Sequence, residues 1–464
     1  MTSVRARSLL AYLGVLVVFI VLTVKAAVPL HNTDTYFHLR FGHEFLTGHW
    51  SLGDPGSVTT FATADWVPTQ WLSEVVMAQV EQWFGLAGVA WLSGLLFLTL
   101  AVCLYWCCRR VAEPLVSVVV VSLALIACTP GISMRPQMVS YTLVALTAAL
   151  WFTARTSGRV PWLLVPLTWV WTMCHGMWPL GVLLGLAAVL GLALDRAHPR
   201  RVLLRMLAVP VLSAATALLT PAGPRLFPAV VRVTSRASYF HEWRPTDFHE
   251  PFAMVLLVLL ALAVLPRLRR PEPTSWFELA LTCVAVLWAV YSTRTVPPSA
   301  CLAAPLAGAA LQSWAGRVPP VRLRERVVVL TAYAVALATL AVLVPHTSDR
   351  PFATASWLDS ELGDLPDGTV VLCEIGFGGY LMWRFPQLDV ALSGYGDTYT
   401  DDELERDADV EQVRGGWVED VETFHAAYAV LPPGSPLAYA LRQVEHWSVV
   451  EVSPELELLA PPAG

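Results

Sequence analysis

Long apolar segments separated by short polar ones make up most of the chain. Segments of roughly 18 or more apolar residues are typical of helices that cross a bilayer. The pattern therefore predicts an all-α polytopic membrane domain of about eleven transmembrane helices over residues 1–345. The predicted spans lie near residues 8–28, 86–108, 112–130, 137–154, 160–174, 177–194, 203–220, 251–266, 276–292, 296–314 and 326–345.

The segments between these helices alternate in their charge. One set carries at least two arginines in every segment, as at Arg5 and Arg7 or at Arg109 and Arg110, whereas the other set has few. Positive charge accumulates on the cytoplasmic side of membrane proteins. The pattern predicts a multi-pass protein of the cytoplasmic (inner) membrane, with a cytoplasmic N-terminus and an extracytoplasmic C-terminal region.

Two of the predicted outer segments are long, at residues 29–85 and 221–250. The first has the periodicity of two helices that lie along the membrane surface, at about 34–47 and 69–84. The second helix places five apolar residues on one face. These residues are Leu72, Val75, Val76, Val80 and Trp83.

Residues 346–464 are richer in charge, and short runs typical of strands alternate there with runs typical of helices. We expect a small extracytoplasmic α/β domain. The glycines of Gly376–Tyr380 are not expected to follow a strand and open a helix, so they give no nucleotide-binding signature. The runs typical of strands are Thr369–Cys373, Val390–Leu392, Ala427–Leu431 and Trp447–Val452, and those typical of helices are 401–412 and 436–445.

Composition agrees with a membrane protein and excludes other classes. The 464 residues are 56% hydrophobic and only 14% charged, against about a quarter charged in soluble domains. The net charge is -6, and the sequence contains no basic domain or basic stripe of the kind that binds nucleic acid. Nucleic-acid binding is therefore not expected. Seven of the eight cysteines fall in or beside apolar segments, so no disulfide framework is expected. The apolar run up to Val28 is interpreted as an uncleaved first helix.

Candidate chemistry begins directly after the first helix. Asp34 and His38 are four residues apart, so a helix places them on one face, and Arg40 follows. Asp34 could act as a base, and His38 could orient it or bind a metal with it. In the alternative, Asp34 only caps its helix, with Asn32 or Thr33 as competing caps, and His38 is an interfacial residue.

Further candidates lie in the predicted outer segments, and each has a structural alternative. Arginine suits phosphate because its planar fork can donate two hydrogen bonds. Arg40 could instead neutralise a lipid phosphate, Asp54 before Pro55 could serve a turn, and Trp71 could anchor at the membrane interface. The predicted substrate-binding residues are Arg40, Asp54, Trp71, Arg135, His175, Glu242 and Arg294. Their shared side of the membrane predicts one outer-face site.

Several motifs resemble a group of bacterial multispanning proteins similar to the GT-C glycosyltransferases. That superfamily includes the protein O-mannosyltransferases and the aminoarabinose transferase of lipid A. The resemblance covers nearly the whole chain. It is carried by Asp34–Gly42, Asp54, Trp66, Trp71–Glu74, Arg135–Gln137, His175-Gly176, Thr220–Gly223, Glu242-Trp243, Arg294, Gly378–Trp383, Asp397 and Tyr399.

The resemblance implies a GT-C-like fold and a hexosyltransferase activity. Such an enzyme moves a sugar from a polyprenyl-phosphate donor to a glycan, lipid or protein acceptor, with Asp34 at the position of the acidic residue that acts as the base or binds a metal. No cofactor is required by the sequence, although a divalent metal fits the resemblance and its ligands are unknown. The alternative is a non-catalytic membrane component of cell-envelope polysaccharide assembly, either a scaffold or a transporter or flippase. The expected partners are the donor, the acceptor and membrane lipid.

Overall fold

The computed structural model describes residues 2–236, 239–268, 275–316, 318–348 and 352–462. Parts of the predicted outer loop 221–250 and of the predicted domain 346–464 therefore lie outside the described residues. The chain forms two compact units. One, called the helical unit, comprises Met1–Val28, Ala87–Leu226 and Phe240–Thr347. The other, called the mixed unit, comprises Pro29–Leu86, Phe227–Tyr239 and Ser348–Gly464.

A helix occupies each of the eleven segments for which a span was predicted. Six of the described helices are long and apolar enough to cross a membrane, and several shorter apolar helices accompany them. The prediction of a helical multispanning domain is thus confirmed, while the count of about eleven spans and their orientation stay predictions. The helices are α1 (Thr2–Ala26), α2 (Asp34–Thr47), α3 (Trp71–Cys108), α4 (Pro114–Ala127), α5 (Gln137–Ser157), α6 (Leu164–Cys174), α7 (Trp178–Leu194), α8 (Arg200–Ala215), α9 (Leu226–Ser235), α10 (Pro251–Leu268), α11 (Trp276–Tyr291), α12 (Val296–Ala315) and α13 (Leu323–Leu343).

Large aromatic side chains and closely packed glycines form the core of the helical unit. Trp151 of α5 and Trp171 of α6 are fully buried. A Cβ atom added at Gly191 of α7 would lie 2.4 Å from the Cα atom of Phe277 in α11. Because no side chain fits in that space, glycine lets these two helices pack backbone against backbone.

Two helices of the first predicted outer segment belong to the mixed unit. They are α2 and the part of α3 that precedes Gly85, where φ is 61° and ψ is -163° and the helix is interrupted. Gly48 ends α2 in the left-handed conformation, and its N–H donates to the carbonyl oxygen of Phe45. Both predicted surface helices are therefore present within one or two residues of their predicted bounds.

The C-terminal residues of the mixed unit form a five-stranded sheet in the order β2-β1-β3-β5-β4. β1 is parallel to β2 and β3, whereas β5 is antiparallel to β3 and β4. The predicted small α/β region is confirmed. The strands are β1 (Val370–Cys373), β2 (Asp389–Val390), β3 (Tyr428–Leu431), β4 (Ser448–Val452) and β5 (Glu457–Ala460), and the helices are α14 (Leu358–Leu362), α15 (Gly378–Arg384), α16 (Asp401–Glu411), α17 (Trp417–Phe424) and α18 (Pro436–Gln443).

The glycines after β1 correct one expectation. They do lie between a strand and a helix, since β1 ends at Cys373 and α15 begins at Gly378. Their role is packing, because a Cβ atom at Gly378 would lie 2.0 Å from the carbonyl oxygen of Leu392. A Cβ atom at Gly379 would lie 3.0 Å from the ring of Phe37 in α2. The glycine pair therefore lets α15 pack closely on its neighbours.

Candidate functional site

Asp34 is the first residue of α2 and is not its cap. Thr33 occupies the N-cap position without a side-chain hydrogen bond, and the Oδ1 atom of Asn32 accepts the N–H of Asp34 at 3.0 Å. The structure thus places Thr33, one of the two competing caps, at the N-cap position. The half-buried carboxylate of Asp34 lies at a helix N-terminus, where the unpaired N–H groups stabilise negative charge. A Cβ atom at Gly394 would lie 3.7 Å from the Oδ1 atom of Asp34.

His38 lies one turn further along α2 and is buried. Its Nδ1 atom is 2.9 Å from the Oε1 atom of Glu74, which belongs to the first turns of α3. The imidazole ring packs against the rings of Phe37 and Tyr395, with centroid distances of 4.3 and 6.0 Å. The ring therefore packs against two aromatic rings that also contact each other, at 5.0 Å, and one of its nitrogens meets a carboxylate. Asp34, His38 and Glu74 are called the first-loop cluster below.

The other candidates of the first predicted outer segment are Arg40, Asp54 and Trp71, and the contacts described for them are with residues outside this cluster. Arg40 forms an ion pair with Glu44 one turn along α2, at 2.9 Å. The side chain of Asp54 is exposed, and its N–H donates to the hydroxyl of Ser51 at 3.0 Å, as in a turn. Trp71 begins α3 and is half-buried. A substrate contact for Arg40, Asp54 or Trp71 stays a prediction.

The helical unit brings the four remaining candidates together, although they are far apart in the sequence. Arg135 precedes α5, His175 ends α6, and Glu242 and Arg294 each lie in a short 3₁₀ turn. Both guanidinium groups bind the carboxylate of Glu242, Arg294 at its Oε1 atom and Arg135 at its Oε2 atom, 3.4 Å away. The Nη2 atom of Arg294 is 3.4 Å from the Nε2 atom of His175. These four residues are called the arginine cluster.

The two arginines of the cluster keep Glu242 ionised. Burial raises the pKa of Glu242, but the charges and hydrogen bonds of Arg294 and Arg135 outweigh burial and leave that pKa below its usual value. Glu242 is thus a carboxylate that accepts from two arginines. The guanidinium of Arg294 also lies over the ring of Trp243, 4.9 Å from its centroid, and its buried Nε atom has no hydrogen-bond partner among the described residues.

His175 is held from behind by side chains of α5 and α6. The indole N–H of Trp171 donates to the hydroxyl oxygen of Ser140 at 2.7 Å. The hydroxyl of Ser140 is 2.9 Å from the Nδ1 atom of His175. His175 is therefore fixed at one ring nitrogen, and the other faces Arg294.

Sequence reasoning did not select Glu74, Ser140 or Tyr395 as site residues. Glu74 was visible as an acid on a helix whose other face is apolar, and this is the signal that could have identified it. Ser140 and Tyr395 are common residue types within apolar or mixed runs. Only the packing of α5 against α6, or of α2 against residues 394–397, reveals that they contact a histidine.

The described residues provide no ready-made metal site. No group of three or more His, Cys, Asp or Glu side chains among them is placed to hold a metal ion. No disulfide joins any of the eight cysteines, all of which lie in the described residues. A divalent metal stays a prediction of the resemblance alone.

Comparison with known proteins places the fold. No protein-family model matches the chain, and no curated protein matches it by sequence. The oligosaccharyltransferase of Archaeoglobus fulgidus, tethered to an acceptor peptide containing the NVT sequon, matches with a TM-score of 0.55 at 12% identity, over 90% of this chain and 68% of that chain.

ArnT from Cupriavidus metallidurans matches over nearly the full length of both chains. Its apo structure gives a TM-score of 0.51 at 16% identity, over 96% of this chain and 97% of that chain. Its structure bound to undecaprenyl phosphate gives 0.50 at 17% identity, over the same 96% and 97%. These proteins are GT-C enzymes, so the resemblance stated from the sequence is confirmed at the level of the fold.

Proposed function

We propose that the protein is a membrane glycosyltransferase that moves a sugar from a polyprenyl-phosphate donor to an acceptor at the outer face of the cytoplasmic membrane. The observation that carries the proposal is the arginine cluster, in which two guanidinium groups share one carboxylate. Paired arginines recognise phosphate by the same geometry. The fold supports the proposal, since an enzyme of similar fold has been solved with undecaprenyl phosphate bound.

In this proposal the arginine cluster binds the donor phosphate. Arg135 and Arg294 would donate hydrogen bonds to the phosphate oxygens, and the ring of Trp243 would hold the Arg294 guanidinium in place. As the bond between the anomeric carbon and the phosphate oxygen breaks, negative charge grows on the leaving phosphate. Fixed guanidinium groups stabilise that charge without reorganising, which is the largest contribution that most enzymes make to such a step.

Asp34 would act on the acceptor. Its carboxylate would take the proton from an acceptor hydroxyl while that oxygen forms the new bond to the anomeric carbon. The polyprenyl phosphate then leaves with the electrons of the broken carbon–oxygen bond. A transfer of this kind needs one base and one good leaving group, and the acceptor is a glycan, a lipid or a protein.

Native mass spectrometry of the purified protein tests both assignments. Wild type is expected to carry polyprenyl phosphate, the product of transfer. Asp34→Asn, which binds the donor but cannot deprotonate the acceptor, is expected to accumulate the sugar-linked lipid. The double variant Arg135→Gln and Arg294→Gln is expected to lose roughly 100-fold in affinity for added undecaprenyl phosphate, because two charge-assisted hydrogen bonds are removed.

Arg110→Gln is the matched control, because this exposed arginine lies at the far end of α3. It is expected to behave as wild type in both measurements. Identical lipid species on wild type and Asp34→Asn would remove Asp34 from the reaction. An unchanged affinity for undecaprenyl phosphate in the double arginine variant would contradict the phosphate-binding role.

A further inference from the structure

Three groups that can donate a hydrogen bond surround the ring of His175, and the ring cannot accept from all of them. The backbone N–H of Met177 donates to Nδ1 at 3.3 Å, and the hydroxyl of Ser140 lies 2.9 Å from the same nitrogen. On the other side of the ring, the Nη2 atom of Arg294 lies 3.4 Å from Nε2. A neutral imidazole carries one proton and accepts at only one of its two nitrogens. At least one of these donors is therefore left without an acceptor on the ring.

The hydroxyl of Ser140 is assigned as a donor to His175, because its proton has no other acceptor among the described residues. The indole N–H of Trp171, which can only donate, is 2.7 Å from the Ser140 oxygen. Ser140 and Trp171 are 0% and 1% exposed, so bulk water does not reach this hydrogen bond. The hydrogen bonds therefore run in one direction, from the indole through the hydroxyl to the Nδ1 atom of His175.

The N–H of Met177 requires the same ring nitrogen. His175 has an extended backbone between α6 and α7, with φ of -169° and ψ of 143°, and Met177 is the residue that precedes α7. The N–H of a residue at this position has no carbonyl partner within the helix. Leaving a buried backbone N–H unpaired costs free energy, and the ring of His175 prevents this. Two fixed and buried donors thus favour Nδ1 as the acceptor.

Arg294 is the donor that can do without the ring. Its side chain is 19% exposed, and its Nη1 atom already donates to Glu242. Unlike the two donors at Nδ1, its Nη2 atom belongs to a long side chain that can turn to another acceptor. When Nδ1 accepts, the ring proton lies on Nε2, and two N–H groups then face each other at a nitrogen–nitrogen distance of 3.4 Å. Two donors in this arrangement need an acceptor that neither residue supplies.

We propose that Ser140 is a positioning residue that, together with the N–H of Met177, holds His175 in the tautomer protonated at Nε2. In this tautomer, the Nε2–H of His175 and the Nη2–H of Arg294 bind one oxygen of the donor phosphate. An anionic oxygen accepts from both groups and removes the conflict between them. The ring acts as a neutral donor, since a second proton on Nδ1 would oppose the N–H of Met177. The phosphate contact rests on the proposed function, but the tautomer does not.

Nitrogen-15 NMR of the full-length protein with labelled histidine tests the tautomer directly. The spectrum of either His175→Gln or His175→Asn identifies the signals of His175. In wild type at mildly alkaline pH, with or without added undecaprenyl phosphate, we expect Nε2 to be protonated and Nδ1 to be deprotonated. The opposite tautomer in wild type would overturn the proposal.

Ser140→Ala tests the positioning role. Without the hydroxyl, one donor remains on each side of the ring, Met177 at Nδ1 and Arg294 at Nε2, so the variant is expected to show both tautomers. Thr142→Val is the matched control, because the Thr142 hydroxyl lies on the same helix and donates to a backbone carbonyl oxygen of that helix at 3.4 Å. It is expected to leave the His175 signals unchanged. A single, wild-type tautomer in Ser140→Ala would show that Ser140 does not select it.

Two amide variants of His175 test the contact with phosphate. The amide nitrogen of glutamine reaches about the position of Nε2, whereas that of asparagine ends near Nδ1. His175→Gln is therefore expected to bind added undecaprenyl phosphate within about threefold of wild type. His175→Asn is expected to bind it about tenfold more weakly, because a hydrogen bond to a charged group is lost. Titration followed by native mass spectrometry measures both, and equal affinities in the two variants would contradict the contact.

The same titration distinguishes a failure of this inference from a failure of the proposed function. If wild type does not bind undecaprenyl phosphate, the proposed function fails while the tautomer result stands. If wild type binds it and His175→Asn binds it equally well, the phosphate contact of His175 alone fails.

Discussion

The helical unit contains two clusters of arginine and glutamate that differ in how completely their charges are satisfied. In the first, Arg109 and Glu325 are joined by two hydrogen bonds, at 2.5 and 3.2 Å, and Tyr105 donates to the same carboxylate at 2.8 Å. Arg109 also donates to the carbonyl oxygens of Ala112 and Pro319. The two charged side chains are only 1% and 2% exposed.

The arginine cluster is open by comparison. Two arginines share the carboxylate of Glu242, which is 33% exposed, and the Nε atom of Arg294 has no hydrogen-bond partner among the described residues. The first cluster pairs one arginine with one carboxylate, whereas in the second two arginines share one carboxylate. The difference teaches that two clusters of the same residue types can differ in how many arginines share a carboxylate and in how far water reaches them.

The largest effect is expected where the ion pair of Arg109 and Glu325 is broken. Glu325→Gln leaves the buried Arg109 without its counter-charge, and breaking one partner of a buried ion pair costs roughly 3–5 kcal/mol. Thermal unfolding of the purified protein should show this loss. The same measurement on Glu242→Gln should show a clearly smaller loss, since water reaches that cluster. Equal losses in the two variants would break the comparison.

A third pair of an acid and an arginine, on α16, shows that an ion pair alone does not fix protonation. Burial raises the pKa of Asp407 to about 7 from 3.8, even though the guanidinium of the adjacent Arg406 lowers it. The folded protein thus binds this proton more tightly than the unfolded chain does. The resulting stability is fully present below pH 3.8 and is lost as the pH rises through about 7.

In wild type, this titration should lower the free energy of unfolding by about 2 kcal/mol between about pH 5 and pH 7. We expect Asp407→Asn to abolish this fall. Unfolding measured across that pH range checks it. Asp402→Asn, an exposed residue on the same helix, is the control and should keep the wild-type pH dependence. A wild-type stability that does not fall over this range would contradict the raised pKa of Asp407.

The smallest expected effect tests the role of Glu242 in the arginine cluster. Glu242→Gln frees two guanidinium groups from their carboxylate, so added undecaprenyl phosphate no longer competes with it. Binding is expected to tighten about tenfold, or about 1.4 kcal/mol. A titration followed by native mass spectrometry measures this, with Glu250→Gln as an exposed control from the same segment. Weaker binding would mean that Glu242 orients the arginines for the phosphate instead of competing with it.

Much of the fold follows from the hydrophobic pattern. Runs of about twenty apolar residues can hardly be anything but membrane helices, and the alternation in the C-terminal region predicted four of its five strands. β5 was missed because Glu457–Ala460 lies close to the end of the sequence, before the prolines of Pro461-Pro462, and resembles a tail. α15 was missed because its two glycines disfavour a helix, and close packing against Phe37 and Leu392 outweighs that preference.

The candidate site could be predicted only in part. The types and positions of Asp34, Arg135, His175, Glu242 and Arg294 were evident from the sequence. Which of them share a partner was not, because the shared carboxylate of Glu242 lies about 50 residues or more from each arginine that binds it. The contact of the buried Glu74 carboxylate with His38 could not be predicted at all, since it depends on how closely two helix backbones approach.

The interruption of α3 at Gly85 separates two requirements that usually go together. At this position φ is 61° and ψ is -163°, a region that glycine alone occupies without strain. Yet a Cβ atom there would meet nothing within 4 Å, so any side chain has room. Alanine at residue 85 would therefore fit sterically, but its backbone would be strained. Asparagine, which replaces glycine in ordinary left-handed turns, would be strained there as well. The need for glycine at residue 85 thus comes from its backbone torsion angles, at a place where the space around a Cβ atom is empty.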